Sequence, residues 1–240
     1  MTTRINKFLS EVGYCSRREA DRLIEEGKVT INGKIPQIGT KVKDEDQVEV
    51  KGIKIKKSKK QKNIYLAFNK PVGIVCTTNR KQEPSNIVDF INYPSRIFPI
   101  GRLDKLSEGL IFLTNDGDIV NKILRARNKH EKEYIVRVNL PINKDFIQKM
   151  SNGVEILNTI TSSCFVKQLG PKEFKIILTQ GLNRQIRRMC ETLGYRVKSL
   201  KRIRIMNIKL DMPIGKYREL TEEELLKLNE LLEDSSKTFD

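Results

Sequence analysis

The chain has 240 residues, enough for one large domain and a small one, and carries 46 Lys plus Arg against 30 Asp plus Glu, a net charge of +16. That excess favours a polyanionic partner, nucleic acid before an anionic membrane surface, while 6% aromatic content and the absence of Trp argue against a large aromatic sugar or methyl-lysine site. No apolar run approaches the ~20 residues needed to cross a bilayer and no leader-type apolar segment opens the chain, so a soluble, cytoplasmic protein is expected.

In chain order, "RINKFLSEVG" places Ile5, Phe8, Leu9 and Val12 on one helical face and stops at Gly13. "SRREADRLIEEG" predicts a second helix with Ser16 as N-cap, Glu19 completing a capping box, an apolar face of Ala20, Leu23 and Ile24, and a stop at Gly27. "KVTINGK" reads as a strand entering an Asn32-Gly33 hairpin turn, and "DQVEV" as a second short strand. The basic run "KIKKSKKQK", residues 54–62, has no periodicity and reads as a solvated linker whose charge also touches phosphate.

Beyond it, "IYLAFNKP" predicts a strand ending at Pro71, "GRLD" (101–104) a tight loop, "GLIFLT" (109–114) a buried strand, and "NDG" a turn that starts the short helix "DIVNKILRA". "KEYIVRV" and "FKIILTQG" are further strands, "NRQIRRMCETLG" a helix stopped by Gly194, and "YRVKSLKRIRIMNIKL" a long extended segment. "TEEELLKLNELLE" closes with a helix capped by Thr221 and Glu224. Residues 219–240 hold eight acidic and two basic residues whereas 63–218 hold 28 basic and 13 acidic, so the tail is expected to face away from the polyanion. The expected class is α+β: residues 1–53 a small helix-pair and strand domain, 54–62 the linker, 63–234 a larger domain on a mixed, mainly antiparallel sheet, and 235–240 a tail.

The chemistry has few candidates. Cys15, Cys76, Cys164 and Cys190 are far apart and read as reduced, small apolar residues. His130 is the one histidine and reads as a surface or RNA-facing residue, which leaves carboxylates, Lys, Arg, Tyr or a bound metal to do any catalysis. Arg17, Arg18 and Arg22 lie around one side of a short helix, with Lys28 just past its end. Arg184, Arg187 and Arg188 fall at i, i+3 and i+4, on one helical face that needs anionic company, either phosphate or a carboxylate, while Ile186, Met189 and Cys190 face the core. Asp104, alone on its loop, reads equally well as a turn residue with local ion pairs or as the reactive group.

The ordered set "NKPVG" (69–73), "GRLDKLSEGL" (101–110), "KEYIV" (132–136) and "GLNRQIRRM" (181–189) resembles the RsuA-like pseudouridine synthases, most closely those acting on large-subunit rRNA, and residues 3 to about 50 resemble the S4 RNA-binding domain. The resemblance spans residues 3 to about 230 and implies isomerisation of uridine to its C-glycoside in structured RNA, without metal or organic cofactor. It implies that Asp104 is the catalytic aspartate, kept ionised in a dry pocket by Arg187. Tyr134 is implied to lie against the target base, Ile186 beneath it, and Arg102 to orient the loop or a phosphate. Arg17, Arg18, Arg22, Lys28, Lys70, Arg184 and Arg188 are the expected RNA contacts. The expected partner is ribosomal RNA or a large-subunit precursor, bound by a monomer with its target base flipped out of the stack. The alternatives are the same reaction on a tRNA stem-loop, a non-catalytic RNA-binding or ribosome-assembly protein, and a nuclease with metal on Asp104, Asp116 and Asp118.

Overall fold

The computed structural model describes residues 2–55, 62–79, 83–125, 128–233 and 235. Most of the expected linker and nearly all of the expected tail lie outside the described residues. The chain divides between Asn63 and Ile64 into two compact units.

The smaller unit contains β1 (Thr3–Arg4), α1 (Ile5–Glu11), α2 (Arg17–Glu25), β2 (Val29–Ile31), β3 (Lys41–Val42), β4 (Val48–Val50) and β5 (Ile53–Lys54). Ile5, Phe8, Leu9, Ala20, Leu23 and Ile24 from the helix pair bury against Val29, Val42, Val48 and Val50, so the apolar stripes read from periodicity become one core. Ser16 Oγ accepts from Glu19 N–H at 3.1 Å and starts α2. Asn32 and Gly33 both take positive φ and make the two-residue turn, yet the returning chain forms only one bridge, Ile31 to Lys34. The partner of β2 is instead β4, from "DQVEV".

The larger unit is built on a nine-stranded sheet. Its elements are β6 (Tyr65–Lys70), α3 (Ile87–Ile91), β7 (Phe98–Ile100), β8 (Glu108–Thr114), α4 (Gly117–Leu124), β9 (Lys132–Val138), α5 (Lys144–Asn152), β10 (Glu155–Ile156), β11 (Thr159–Ile160), β12 (Phe165–Gly170), β13 (Glu173–Leu178), α6 (Gln185–Thr192), β14 (Val197–Ile205), β15 (Ile208–Lys209), β16 (Tyr217–Glu219) and α7 (Glu222–Leu231). The order is β12-β13-β9-β14-β8-β6-β16, with β15 on β14 and β7 on β8, while β10 and β11 form a separate hairpin. All pairs are antiparallel except β14 with β8. At that parallel pair Gly109 faces Arg202 with φ +105°, and a Cβ there would lie 2.3 Å from the Arg202 carbonyl oxygen, so only glycine permits the approach.

Both faces of the sheet are covered. On one, Leu66, Phe68, Ile111, Leu113, Val136 and Phe174 pack under α3, α5 and α6. On the other, Ala67, Leu110 and Phe112 pack under α4 and α7. The acidic α7, with its reciprocal Thr221–Glu224 capping box, therefore lies across the sheet from α6. The sequence reading assigned nothing between β9 and β13, where α5, the β10–β11 hairpin and β12 form; at α5, Asn143 Oδ1 caps Phe146 N–H at 2.8 Å and Phe146 and Met150 bury one turn apart. The long extended segment is a hairpin, turned by Met206 at φ +52° and Asn207.

Candidate active site

The site is assembled where the loop between β7 and β8 meets the start of α6. Gly101 leaves β7 with φ +77°, and residues 104–107 form a tight turn closed by Ser107 N–H donating to Asp104 O at 2.9 Å. Leu103 anchors the loop: its side chain joins the α6-side core and its N–H points to Cys76 Sγ at 3.3 Å. Asp104 is thereby set at the rim of a rigid turn.

Arg187 comes from the first turn of α6 and is 6% exposed. Its Nη2 donates to Leu106 O and to Ser107 Oγ, both at 2.9 Å, and its Nε lies 3.5 Å from Asp104 Oδ2. One guanidinium thus grips the turn and faces the carboxylate that the turn presents. The contact is one-sided: the second nitrogen is spent on Ser107 and Leu106, and Nε makes no hydrogen bond among the described residues. Burial lowers the Arg187 pKa and the Asp104 charge opposes that shift. The Asp104 side chain keeps 35% of its surface exposed. Ser107, 1% exposed, is a site residue that the sequence reading did not single out; the signal was a hydroxyl three residues after the aspartate, where a turn closes.

Tyr134 and Ile186 are buried in the same apolar cluster as Leu103, on the sheet face that α6 covers. The Tyr134 ring is faced by the Arg202 guanidinium at 6.0 Å, and Arg202 Nε donates to Leu110 O at 2.6 Å on β8. Arg202 is 4% exposed. Lys132, two residues before Tyr134, is also buried; its amine donates to His130 O at 3.0 Å and its pKa is pushed down to about 8, by burial first and by Arg202 second.

Several expected RNA contacts are placed differently. Lys70 is fully buried and its ammonium donates to Pro71 O and Ile74 O, both at 2.8 Å, so it props the 71–74 loop from beneath. Burial lowers its pKa, opposed by the charges of Cys76, Asp104 and Glu108. Arg184, Arg187 and Arg188 do not share one face: Arg184 is the left-handed residue that precedes α6, Arg187 points inward, and Arg188 folds onto Asn183 through two 3.1 Å bonds. In the smaller unit Arg22 is bound to Glu19 and lies 3.7 Å from Glu26, while Lys28 meets Glu26 at 2.6 Å. Arg17, Arg18, Arg102 and Arg184 are exposed. His130 is half-buried, shares a 2.8 Å hydrogen bond with Ser235, and has its pKa lowered by burial.

The three aspartates of the nuclease alternative do not come together: among the described residues no group of three His, Cys, Asp or Glu side chains could hold a metal. Asp116 caps α4 and accepts from Tyr65 Oη at 2.9 Å. Among those residues, too, no helix is long and apolar enough to cross a membrane.

A carboxylate on a pinned turn with a buried cation behind it is a pair that a base-rearranging enzyme could use. The family model described as "RNA pseudouridylate synthase" matches residues 64–192, and the S4 domain model matches residues 3–48. The chain belongs to the RNA pseudouridylate synthases. It is 57% identical to the dual-specificity RNA pseudouridine synthase RluF of Escherichia coli over 98% of this chain and 81% of that one. It is 35% identical to ribosomal large subunit pseudouridine synthase B of Bacillus subtilis over 98% and 99% of the two chains. A solved pseudouridylate synthase superposes with a TM-score of 0.69 at 28% identity, covering 94% of this chain and 99% of that one. As a pseudouridine synthase the chain is an isomerase: it converts uridine in RNA to pseudouridine.

Proposed function

We propose that this synthase modifies uridine in 23S ribosomal RNA of the large subunit, as a monomer in the cytoplasm, with Asp104 acting on the ribose of the target nucleotide. The names of both relatives' enzymes support RNA as substrate, and that of the Bacillus subtilis protein supports the large ribosomal subunit. Residues 3–48 act as an S4 RNA-binding module and the larger unit carries the chemistry.

The observation that carries the site assignment is the Asp104–Arg187 contact, 3.5 Å from Oδ2 to Nε, on a turn that Arg187 itself holds through Leu106 and Ser107. In the reaction the C1′–N1 bond breaks, the uracil turns, C1′ bonds to C5, the C5 hydrogen leaves as a proton and N1 gains one. An ionised carboxylate is needed at the ribose when the reaction starts and again when it ends, and a buried guanidinium is the group that favours that form. The bound uracil, packed between Tyr134 and the Ile186 side, closes off the exposed part of Asp104 and lets the Arg187 contact shorten.

Asp104→Asn keeps the size of the side chain and removes its charge. Tritium release from 23S rRNA labelled at uridine C5 should vanish while RNA affinity and melting temperature hold. Release at the wild-type rate removes Asp104 from the mechanism. The Escherichia coli relative is named for dual specificity, and a tRNA stem-loop, the alternative substrate raised by the sequence, belongs in the same assay.

A further inference from the structure

We propose that Leu106 and Val72 form an apolar wedge that enters the RNA stack beside the target and occupies the space the flipped uridine leaves. The inference rests on the reading of this chain as a synthase acting on structured RNA. Leu106 is 62% exposed and Val72 52% exposed, and neither belongs to an apolar core cluster of the unit that carries them. Their loops are joined: Gly73 N–H donates to Lys105 O at 2.8 Å, which sets the residue before Gly73 beside the residue after Lys105.

Both loops are also held from behind. Arg187 clamps the Leu106 carbonyl at 2.9 Å, and the buried Lys70 ammonium clamps Pro71 O and Ile74 O on either side of Val72. Leu106 is two residues from the reactive carboxylate, and apolar side chains on pinned backbone lose little further entropy when they insert. Wedges of this chemistry unstack base steps in other nucleic-acid proteins, and flipping a paired base costs a few kcal/mol that such contacts offset. The occupant is RNA, not a protein: Arg102 and Lys105 on the same loop are exposed and set positive charge beside the apolar tip, where phosphates would lie.

The test compares single-turnover rates on two RNAs with the same target sequence, one a stem with the uridine paired and one a short unpaired strand. Leu106→Ala removes three carbons from the wedge and should lower the paired-to-unpaired rate ratio roughly tenfold. The double variant with Val72→Ala should lower it further, and Leu106→Met should restore most of it. Flipping is read separately, without turnover, from 2-aminopurine placed next to the target and bound to full-length Asp104→Asn protein: the fluorescence rise should shrink when Leu106→Ala is added. An unchanged rise, or equal rate losses on both RNAs, overturns the wedge. If the wild-type protein converts neither RNA while the fluorescence responds as expected, the substrate assignment fails and the wedge stands.

Discussion

Arg187→Lys separates charge from geometry at the site. The wild-type guanidinium supplies two hydrogen bonds from Nη2, to Leu106 O and Ser107 Oγ at 2.9 Å, and faces Asp104 through Nε at 3.5 Å. A lysine keeps the positive charge on one tetrahedral nitrogen and cannot serve three acceptors in those directions at once. Losing one or two hydrogen bonds from a charged donor, each worth about 1.5–3 kcal/mol, predicts a stability loss of roughly 2–4 kcal/mol. For a unit of this size that lowers Tm by about 10 °C. With the turn released, Asp104 shifts relative to the ribose, and a displacement of order 1 Å costs about 100-fold in turnover. RNA affinity should change little, because Arg187 is 6% exposed and does not offer its guanidinium to phosphate. The assay is single-turnover tritium release at saturating enzyme, beside filter binding and a melting curve at the assay temperature. Arg188→Gln is the control: its guanidinium rests on Asn183, part-exposed, and its loss should weaken binding more than turnover. If Arg187→Lys weakens binding while kcat stays at the wild-type value, the Asp104–Arg187 pairing has no part in catalysis.

Gly109→Ala should cost at least about 3 kcal/mol, since φ is +105° and the new Cβ would sit 2.3 Å from the Arg202 carbonyl oxygen; a melt within about 2 °C of wild type refutes the close-approach reading. Lys132 gives up its proton near pH 8 in the folded protein and near 10.5 in the unfolded chain, so between those values the unfolded chain binds more protons and stability rises with pH. Lys132→Met should therefore be more stable than wild type at pH 7, by roughly 2 kcal/mol after the lost bond to His130 O, with the advantage fading from pH 8 to 10 in denaturant titrations; a gap that does not depend on pH refutes it. Removing residues 1–55 should leave a cooperative melt and a salt slope shallower by about 2, the share of Arg17 and Arg18, because Arg22 and Lys28 already hold carboxylates; an unchanged slope assigns the S4 unit another task.

What the sequence determined by itself is what local physics controls. Helices α1, α2, α4, α6 and α7 follow from apolar spacing and from caps at Ser16, Asp116 and Thr221, since each cap bonds within its own turn. The family and its reaction were legible because the motifs around Asp104, Tyr134 and Arg187 are contiguous stretches in a set order. Tertiary structure decided the rest. The parallel pairing of β14 with β8 joins residues about ninety apart and depends on a missing Cβ at Gly109, which no periodicity reveals. Lys70 looked like a phosphate contact because lysines usually stay in water, but the fold encloses it and gives its ammonium two carbonyls. Arg22 and Lys28 are the exception: Glu19 and Glu26 lie three and four residues from Arg22, within helical reach, so these pairs were legible in the sequence. At the site, the family resemblance implied that Arg187 would meet Asp104, whereas spacing left phosphate and carboxylate both open; only the packed turn showed that it does so with one edge, while its other nitrogen holds Ser107 and the backbone of Leu106.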